Sequence, residues 1–381
     1  MKLTVSAATL GFVALTAATS NQYINYTTVQ GYFEQDLEST DPSTYDYTSH
    51  NFGLIDRSYD SDKPASKNLT QWERFHAELQ ALNDNSPKHV SYKLFFLGRH
   101  GEGYHNAAES YFGTPAWNCY YSLLTGNGTT TWFDADLTTE GINQAEIAHR
   151  YWLAQYKTQH IHFPDAYYSS PMTRALKTAN ITFSNLPLAG AGAATFLPEV
   201  KEGFREGMSM HTCDERRSKS YIESLFPTWT FEKGFTEEDE LWTGVTVEPS
   251  GAQDERSRAA LDDIFGEKKV TKRPDGVCVP HKKNDLVISV TAHSGEISSI
   301  LRVIGHQTFK LSTGAVIPVL IRAEEIAEEE PTTTIAWTQS AYCAAPPATS
   351  TASGCVCQGS ATPITSGYPV GGTTVATPTP F

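Results

Sequence analysis

Five short runs of apolar, β-branched and aromatic residues punctuate the chain: Tyr92–Gly98 (YKLFFLG), Asp165–Ser169 (DAYYS), Ala194–Pro198 (ATFLP), Asp285–Thr291 (DLVISVT) and Ala315–Arg322 (AVIPVLIR). They are short and near-continuous rather than alternating, which is the pattern of strands buried on both faces. Helical stretches separate them, and strands that alternate with helices predict a mostly parallel sheet covered on both sides, a three-layer α/β/α sandwich. Before these runs, residues 21–89 are rich in Tyr, Asp and Ser. There Thr70 and Glu73 form a capping box, followed at helical spacing by Trp72, Phe75, Leu79 and Leu82. This segment reads as an N-terminal extension packed on a core that spans 90–325. Residues 207–280, richer in charge and aromatics, read as a long insertion between two strands, of a size that often covers an active site. No internal repeat is visible.

The ends carry a different pattern. Residues 1–20 place Lys2 before an apolar stretch from Val5 to Leu15 and then small residues. That order predicts a secretory signal peptide, too short in its apolar part to span a bilayer. Four sequons, at Asn25, Asn68, Asn127 and Asn180, agree with export and N-glycosylation, and so with a secreted, extracellular or cell-wall location. Residues 326–381 read as a disordered tail. From Pro331 onward it lacks Asp, Glu, Lys and Arg and is nearly half Thr, Ser and Pro, so it offers little to bury against its ordering entropy.

Charge and cysteine content narrow the chemistry. With a formal charge of −14 and no dense Lys/Arg tract, the chain is poorly suited to bind a nucleic-acid backbone. Six cysteines in an exported chain predict disulfides, and 15 pairings are open. No Cys-x-x-Cys pair suggests structural zinc. His160-x-His162 has no matching ligands, Gly190-Ala-Gly192 lacks the third glycine of a dinucleotide site, and Trp117–Leu124 reads as core. No metal and no cofactor is therefore expected.

Ligands of such sheets sit beyond the carboxyl ends of the strands. The first run ends in Arg99-His100-Gly101-Glu102-Gly103-Tyr104-His105-Asn106, the second leads through Ser170-Pro171 to Arg174, and the fourth ends in His293-Ser294-Gly295. Two arginines and two histidines thus converge on one rim. A guanidinium fork matches phosphate oxygens and stays charged, so two can clamp a phosphoryl group. A neutral imidazole beside them is a competent nucleophile.

These motifs resemble the histidine phosphatase superfamily, the phosphoglycerate-mutase-like enzymes. Arg99-His100-Gly101 with Asn106 is similar to its first motif, and Leu137-Thr138-x-x-Gly141-x-x-Gln144-Ala145 to its next helix entry. Ser170-Pro171-x-x-Arg174-Ala175-x-x-Thr178-Ala179 resembles its second arginine motif, and His293 with Gly295 its second histidine. Near His211-Thr212-Cys213-Asp214 the chain looks like the fungal secreted branch. Ser294 stands where many members have glycine directly after the second histidine.

The resemblance implies a phosphohistidine on His100, with Arg99, Arg174 and His293 binding the phosphoryl group. Asn106 would assist, or cap the following helix. It places the general acid at Glu206, with Glu199, Glu202, Glu102 and Glu296 as rivals. It implies a small-molecule phosphate ester as partner, with no metal. A secreted enzyme has no assured supply of phosphorylated primer, which favours a phosphomonoester hydrolase over a mutase. The non-enzyme alternative, a secreted surface or binding protein, sits badly with an intact set of both arginines and both histidines.

Overall fold

The structure is a computed structural model that describes residues 23–188, 195–266, 270–272, 278–280, 285–328, 335–347 and 357–358. Its strands are β1 (Tyr23–Thr28), β2 (Val90–Arg99), β3 (Ala166–Ser169), β4 (Glu199–Val200), β5 (Thr230–Phe231), β6 (Thr246–Val247), β7 (Val270–Lys272), β8 (Cys278–Pro280), β9 (Val287–Ala292), β10 (Val316–Ile326) and β11 (Thr338–Gln339). Its helices are α1 (Gln71–Asp84), α2 (Tyr104–Phe112), α3 (Thr114–Cys119), α4 (Thr139–Gln159), α5 (Thr173–Phe183), α6 (Lys219–Leu225), α7 (Ser250–Phe265) and α8 (Ser294–Val303).

One seven-stranded sheet in the order β1-β10-β2-β9-β3-β4-β5 organises the molecule. The five strands from β2 to β5 in that order run parallel. The run at 315–322 becomes β10, antiparallel to β2, and β1 lies antiparallel outside it. Side chains alternate along β2 as a strand requires. Phe95 and Leu97 enter a core with Ile297, Ile300 and Leu301 of α8 and Leu261 and Ile264 of α7. Leu94 and Phe96 enter the opposite core with Trp72 and Phe75 of α1, Trp152 of α4 and Phe183 of α5. Each face is therefore covered by helices, giving the expected mixed α/β fold in three layers. The Trp117–Leu124 stretch is largely internal, with Trp117, Cys119 and Leu123 buried.

Several sequence expectations need correction. The described part of the run at 194–198, residues 195–198, is not itself a strand, and β4 begins at Glu199. Pro198 has no N–H to give a ladder, and its carbonyl accepts instead from the Thr230 N–H at 3.0 Å. The segment before residue 89 does more than pack on the core, since β1 is an edge strand of the main sheet. The proposed insertion at 207–280 cuts across the core: β5 belongs to the sheet, and Ala260, Leu261, Ile264 and Phe265 of α7 line one face. Charge along α7 disguised this, because Arg256 is spent internally on Glu248 and Glu296.

The tail boundary moves as well. β10 runs on to Ile326, and within 335–347 β11 pairs with β6. Tyr342 is buried with Leu123 and Met210, the Cys343 N–H donates to the Cys119 carbonyl at 2.9 Å, and Cys343 is disulfide-bonded to Cys357. A crosslink supplies here the restraint that a segment without a large apolar face cannot supply by burial. Cys119 is also disulfide-bonded, while Cys213 is free and buried. Residues 1–20 and Gly190-Ala191-Gly192 lie outside the described residues. No helix among the described residues is long and apolar enough to cross a membrane.

Candidate active site

Parallel register accounts for the convergence of residues distant in sequence. Arg99 pairs with Ala292 across β2 and β9, and Ser169 with Thr291 across β3 and β9. His100, Ser170 and His293 therefore leave three adjacent strands at one level. The His100 N–H donates to the Ala292 carbonyl at 3.0 Å and the Ser170 N–H to Thr291 at 3.0 Å. β4 lies parallel beside β3, so the chain that follows it delivers Glu206 to the same rim. Helices α2, α5 and α8 begin just past these strand ends, which brings their partially positive N-termini to the same rim.

His100 is only 2% exposed, and its ring lies 5.0 Å, centroid to centroid, from that of His293. Nδ1 is 2.7 Å from the Gly101 carbonyl oxygen, which can only accept, so Nδ1 carries the proton and Nε2 keeps its lone pair. Burial first, then the charges of Arg174 and Arg99, hold the ring pKa well below its usual value, so it stays neutral. The loop around it is fixed by close backbone approach. A Cβ on Gly101 would lie 2.3 Å from the Gly141 oxygen, and the Gly101 N–H donates to Thr178 Oγ1 at 3.0 Å.

The guanidinium groups are held at one end only. Arg174, 1% exposed, donates from Nη1 to the Cys213 carbonyl at 2.8 Å, and Arg99 from Nη1 to the Leu311 carbonyl at 2.7 Å. The Nε of each is buried and unpaired among the described residues. Two buried donors of like charge are unstable company, and a phosphoryl dianion would satisfy both. His293 is fully buried. Ser170 Oγ lies 2.7 Å from its Nε2 and accepts from the Met172 N–H, so the serine proton is free to go to Nε2. That leaves Nδ1, buried without a partner among the described residues, as a third donor.

Glu206 lies over the start of α8. Its Oε1 accepts from the Glu296 N–H at 3.1 Å and Oε2 from the Gly295 N–H at 3.2 Å. Burial raises its pKa, with Asp214 adding to the rise, while the backbone N–H groups of Gly207 and Gly295 and the charge of Arg174 oppose it. The other carboxylates are engaged elsewhere. Glu199 pairs with Lys201 at 2.7 Å, Glu202 with Arg216 at 2.6 Å, and Glu102 accepts from Thr138 at 2.7 Å. Glu296, pushed up to about 7 mainly by burial, is held by Ser257 at 2.7 Å and Arg256 at 3.2 Å. Asn106 Oδ1 accepts from the Gly103 N–H at 3.0 Å, so it caps α2 and offers only Nδ2 outward.

Two residues to which the sequence motifs assign no role border the same site. Ser170 orients His293, and His105 lies 5.4 Å from the His100 ring. His105 stood inside the first motif, but nothing in its spacing separates a pocket residue from a core one. His160 and His162 have carboxylate neighbours, Glu73 and Asp165, and no group of potential metal ligands occurs among the described residues.

The neutral imidazoles of His100 and His293 and the half-engaged guanidinium groups of Arg99 and Arg174 stand together at the strand ends, a donor set whose chemistry suits a phosphoryl group. The sequence model of the histidine phosphatase superfamily (branch 1) matches residues 122–308. A "Probable phosphoglycerate mutase" of Arthroderma benhamiae is 46% identical over 84% of this chain and 91% of its own. "Phosphomutase-like protein 3" of Candida albicans is 34% identical over 88% and 94%, and a probable phosphoglycerate mutase of Saccharomyces cerevisiae is 32% identical over 64% and 83%. The chain belongs to the histidine phosphatase superfamily, whose members are phosphatases and mutases acting on small phosphate esters. Among solved structures, a mycobacterial glucosyl-3-phosphoglycerate phosphatase matches at 15% identity over 60% of this chain and 90% of that one, with a TM-score of 0.32.

Proposed function

We propose that the chain is a secreted phosphomonoester hydrolase that works through a phosphohistidine on His100. The observation that carries this is the Nδ1–H bond to the Gly101 carbonyl at 2.7 Å, which leaves Nε2 unprotonated within the field of Arg99 and Arg174, whose Nε–H groups have no partner among the described residues. Phosphoryl transfer has a loose transition state, so holding the equatorial oxygens is most of the catalysis. Arg99, Arg174 and His293 supply those donors. Nε2 attacks phosphorus, the P–O bond to the leaving group breaks, and protonated Glu206 gives its proton to the departing oxygen. The resulting carboxylate then takes a proton from water, whose oxygen attacks phosphorus. The P–N bond breaks and free imidazole and phosphate are released.

The phosphorylated ring keeps its Nδ1–H bond to Gly101 throughout, which spreads the positive charge that forms. Secretion is supported by the charged-apolar-small order of residues 1–20 and by the sequons, of which Asn68 is exposed. Asn127 is buried in its own turn, and Asn180 accepts a hydrogen bond from Ser184.

The names of the relatives favour a second reading, a phosphoglycerate mutase. One experiment separates the two. A brief pulse with a 32P-labelled ester labels the protein on an acid-labile group, and His100→Ala takes up no label. A chase with phosphoglycerate leaves the label on water for a hydrolase and on the second hydroxyl for a mutase. Labelling of the alanine variant would remove His100 from the role.

A further inference from the structure

One buried nitrogen beside the site is not used by the mechanism above. His105, the second residue of α2, is 9% exposed, and its Nδ1 is buried with no hydrogen-bond partner among the described residues. That edge of the ring lies against the N-cap of its own helix, where a Cβ on Gly103 would come within 2.6 Å of Nδ1 and 2.8 Å of Cε1. Gly103 is thus the residue that makes room for the ring. An imidazole N–H pointed into that corner would be an unsatisfied buried donor, a rarer and worse defect than an unsatisfied lone pair; His293 differs because the Ser170 hydroxyl gives its proton to Nε2 there and so puts the ring proton on Nδ1. The proton therefore belongs on Nε2, which no described residue engages.

His100 and His105 then hold opposite tautomers in neighbouring rings. In His100 the Gly101 carbonyl draws the proton to Nδ1 and frees the Nε2 lone pair. In His105 the blind corner leaves Nε2 as a donor. We propose that His105 is a phosphoryl-binding residue whose Nε2–H donates to a non-bridging oxygen of a phosphoryl group bound at His100, whose ring lies 5.4 Å away. The proposal rests on the phosphate-handling reading of the site and deepens it by adding a fourth donor side chain to Arg99, Arg174 and His293. A neutral donor suits the place, because a third full charge beside Arg99 and Arg174 would add repulsion in the empty site. Burial and those same charges keep His105 neutral.

The test uses the full chain and inorganic orthophosphate, with binding measured by calorimetry so that the readout does not depend on turnover. His105→Phe keeps the ring volume and loses the donor, whereas His105→Gln places an amide N–H near the position of Nε2. The expected result is at least tenfold weaker orthophosphate binding for H105F and recovery to within about threefold of the unaltered protein for H105Q, since one hydrogen bond to a charged group is worth about that much. Thermal unfolding of both variants separates binding loss from misfolding. Orthophosphate binding by H105F as tight as that of the unaltered protein would overturn the proposal, and so would equal loss in folded H105F and H105Q. If the unaltered protein does not bind orthophosphate at all, the phosphate hollow itself is wrong and both readings fall together.

Discussion

The position of Glu206 can be tested without altering Glu206. Gly295 is in the first turn of α8, and a Cβ there would sit 2.3 Å from Glu206 Oε1 and 3.1 Å from its Cδ. Non-bonded carbon and oxygen need about 3.3 Å, so Gly295→Ala must push the carboxyl group aside by about 1 Å. The atom displaced is the end of a flexible side chain, so the backbone need not move. A misplacement of about 1 Å at a catalytic group can cost ~100-fold, or ~2.7 kcal/mol of transition-state stabilisation. Stability moves little, because alanine is favoured over glycine in a helix by about 0.5–1 kcal/mol, which offsets the weakened contacts of Glu206. The assay is kcat/KM on an alkyl phosphate, run beside a thermal melt. A fall of ~100-fold with an unchanged melting temperature supports Glu206 as the general acid. Undiminished turnover by a folded variant in which the carboxyl group has moved would refute it.

Three further expectations follow from the same geometry. Glu206→Gln should slow an alkyl phosphate by ~100- to 10,000-fold, the usual worth of general acid catalysis, and slow p-nitrophenyl phosphate far less, because that leaving group departs as a stable anion; equal losses on both substrates would remove the proton-donor role. The pH profile of kcat/KM should be a bell. His100 is depressed below its usual 6.5, so activity falls on the acid side only below that value as the nucleophile is protonated. Glu206 is raised above 4.5, so the alkaline limb, where the acid loses its proton, lies above that value; an acid limb at or above 6.5 would contradict the assignment. Gly101→Ala should destabilise the fold by about 1–3 kcal/mol, read by denaturant unfolding, because its Cβ would meet the Gly141 carbonyl oxygen at 2.3 Å and neither atom is on a flexible side chain. A variant as stable as the parent would mean that the loop and α4 are less closely packed than the structure shows.

Much of the site was legible before any coordinates. The strands β2, β3 and β9 end where their apolar runs end, and the polar residues that follow carry Arg99, His100, Arg174 and His293. The start of α1 was equally readable, since Thr70 and Glu73 hold each other across the helix entry. What misled was segment role. α7 looks like surface in sequence because its charges are visible and their partners, Glu248 and Glu296, are not adjacent to it. The chain at 335–347 looks like a disordered stalk because Cys343 and Tyr342 find Cys357, Cys119, Leu123 and Met210 only in space.

The candidate carboxylates for general acid show the division most clearly. In sequence, Glu102, Glu199, Glu202, Glu206 and Glu296 are chemically equivalent, and only the family resemblance sets Glu206 first. Tertiary structure ties four of them to lysine, arginine or hydroxyl partners and sets the fifth on the backbone N–H groups at the head of α8. Tautomers follow the same rule: that His100 exposes a lone pair while His105 presents a proton depends on the Gly101 carbonyl beside one ring and the empty corner at Gly103 beside the other. The amino-acid order by itself determined the alternation of strands and helices and which residue types would stand at the strand ends, because hydrophobic periodicity and end signals are local. Which of those residues would be charged, neutral, donor or acceptor was decided only by the packed structure, because burial and hydrogen bonding depend on neighbours brought in from elsewhere in the chain.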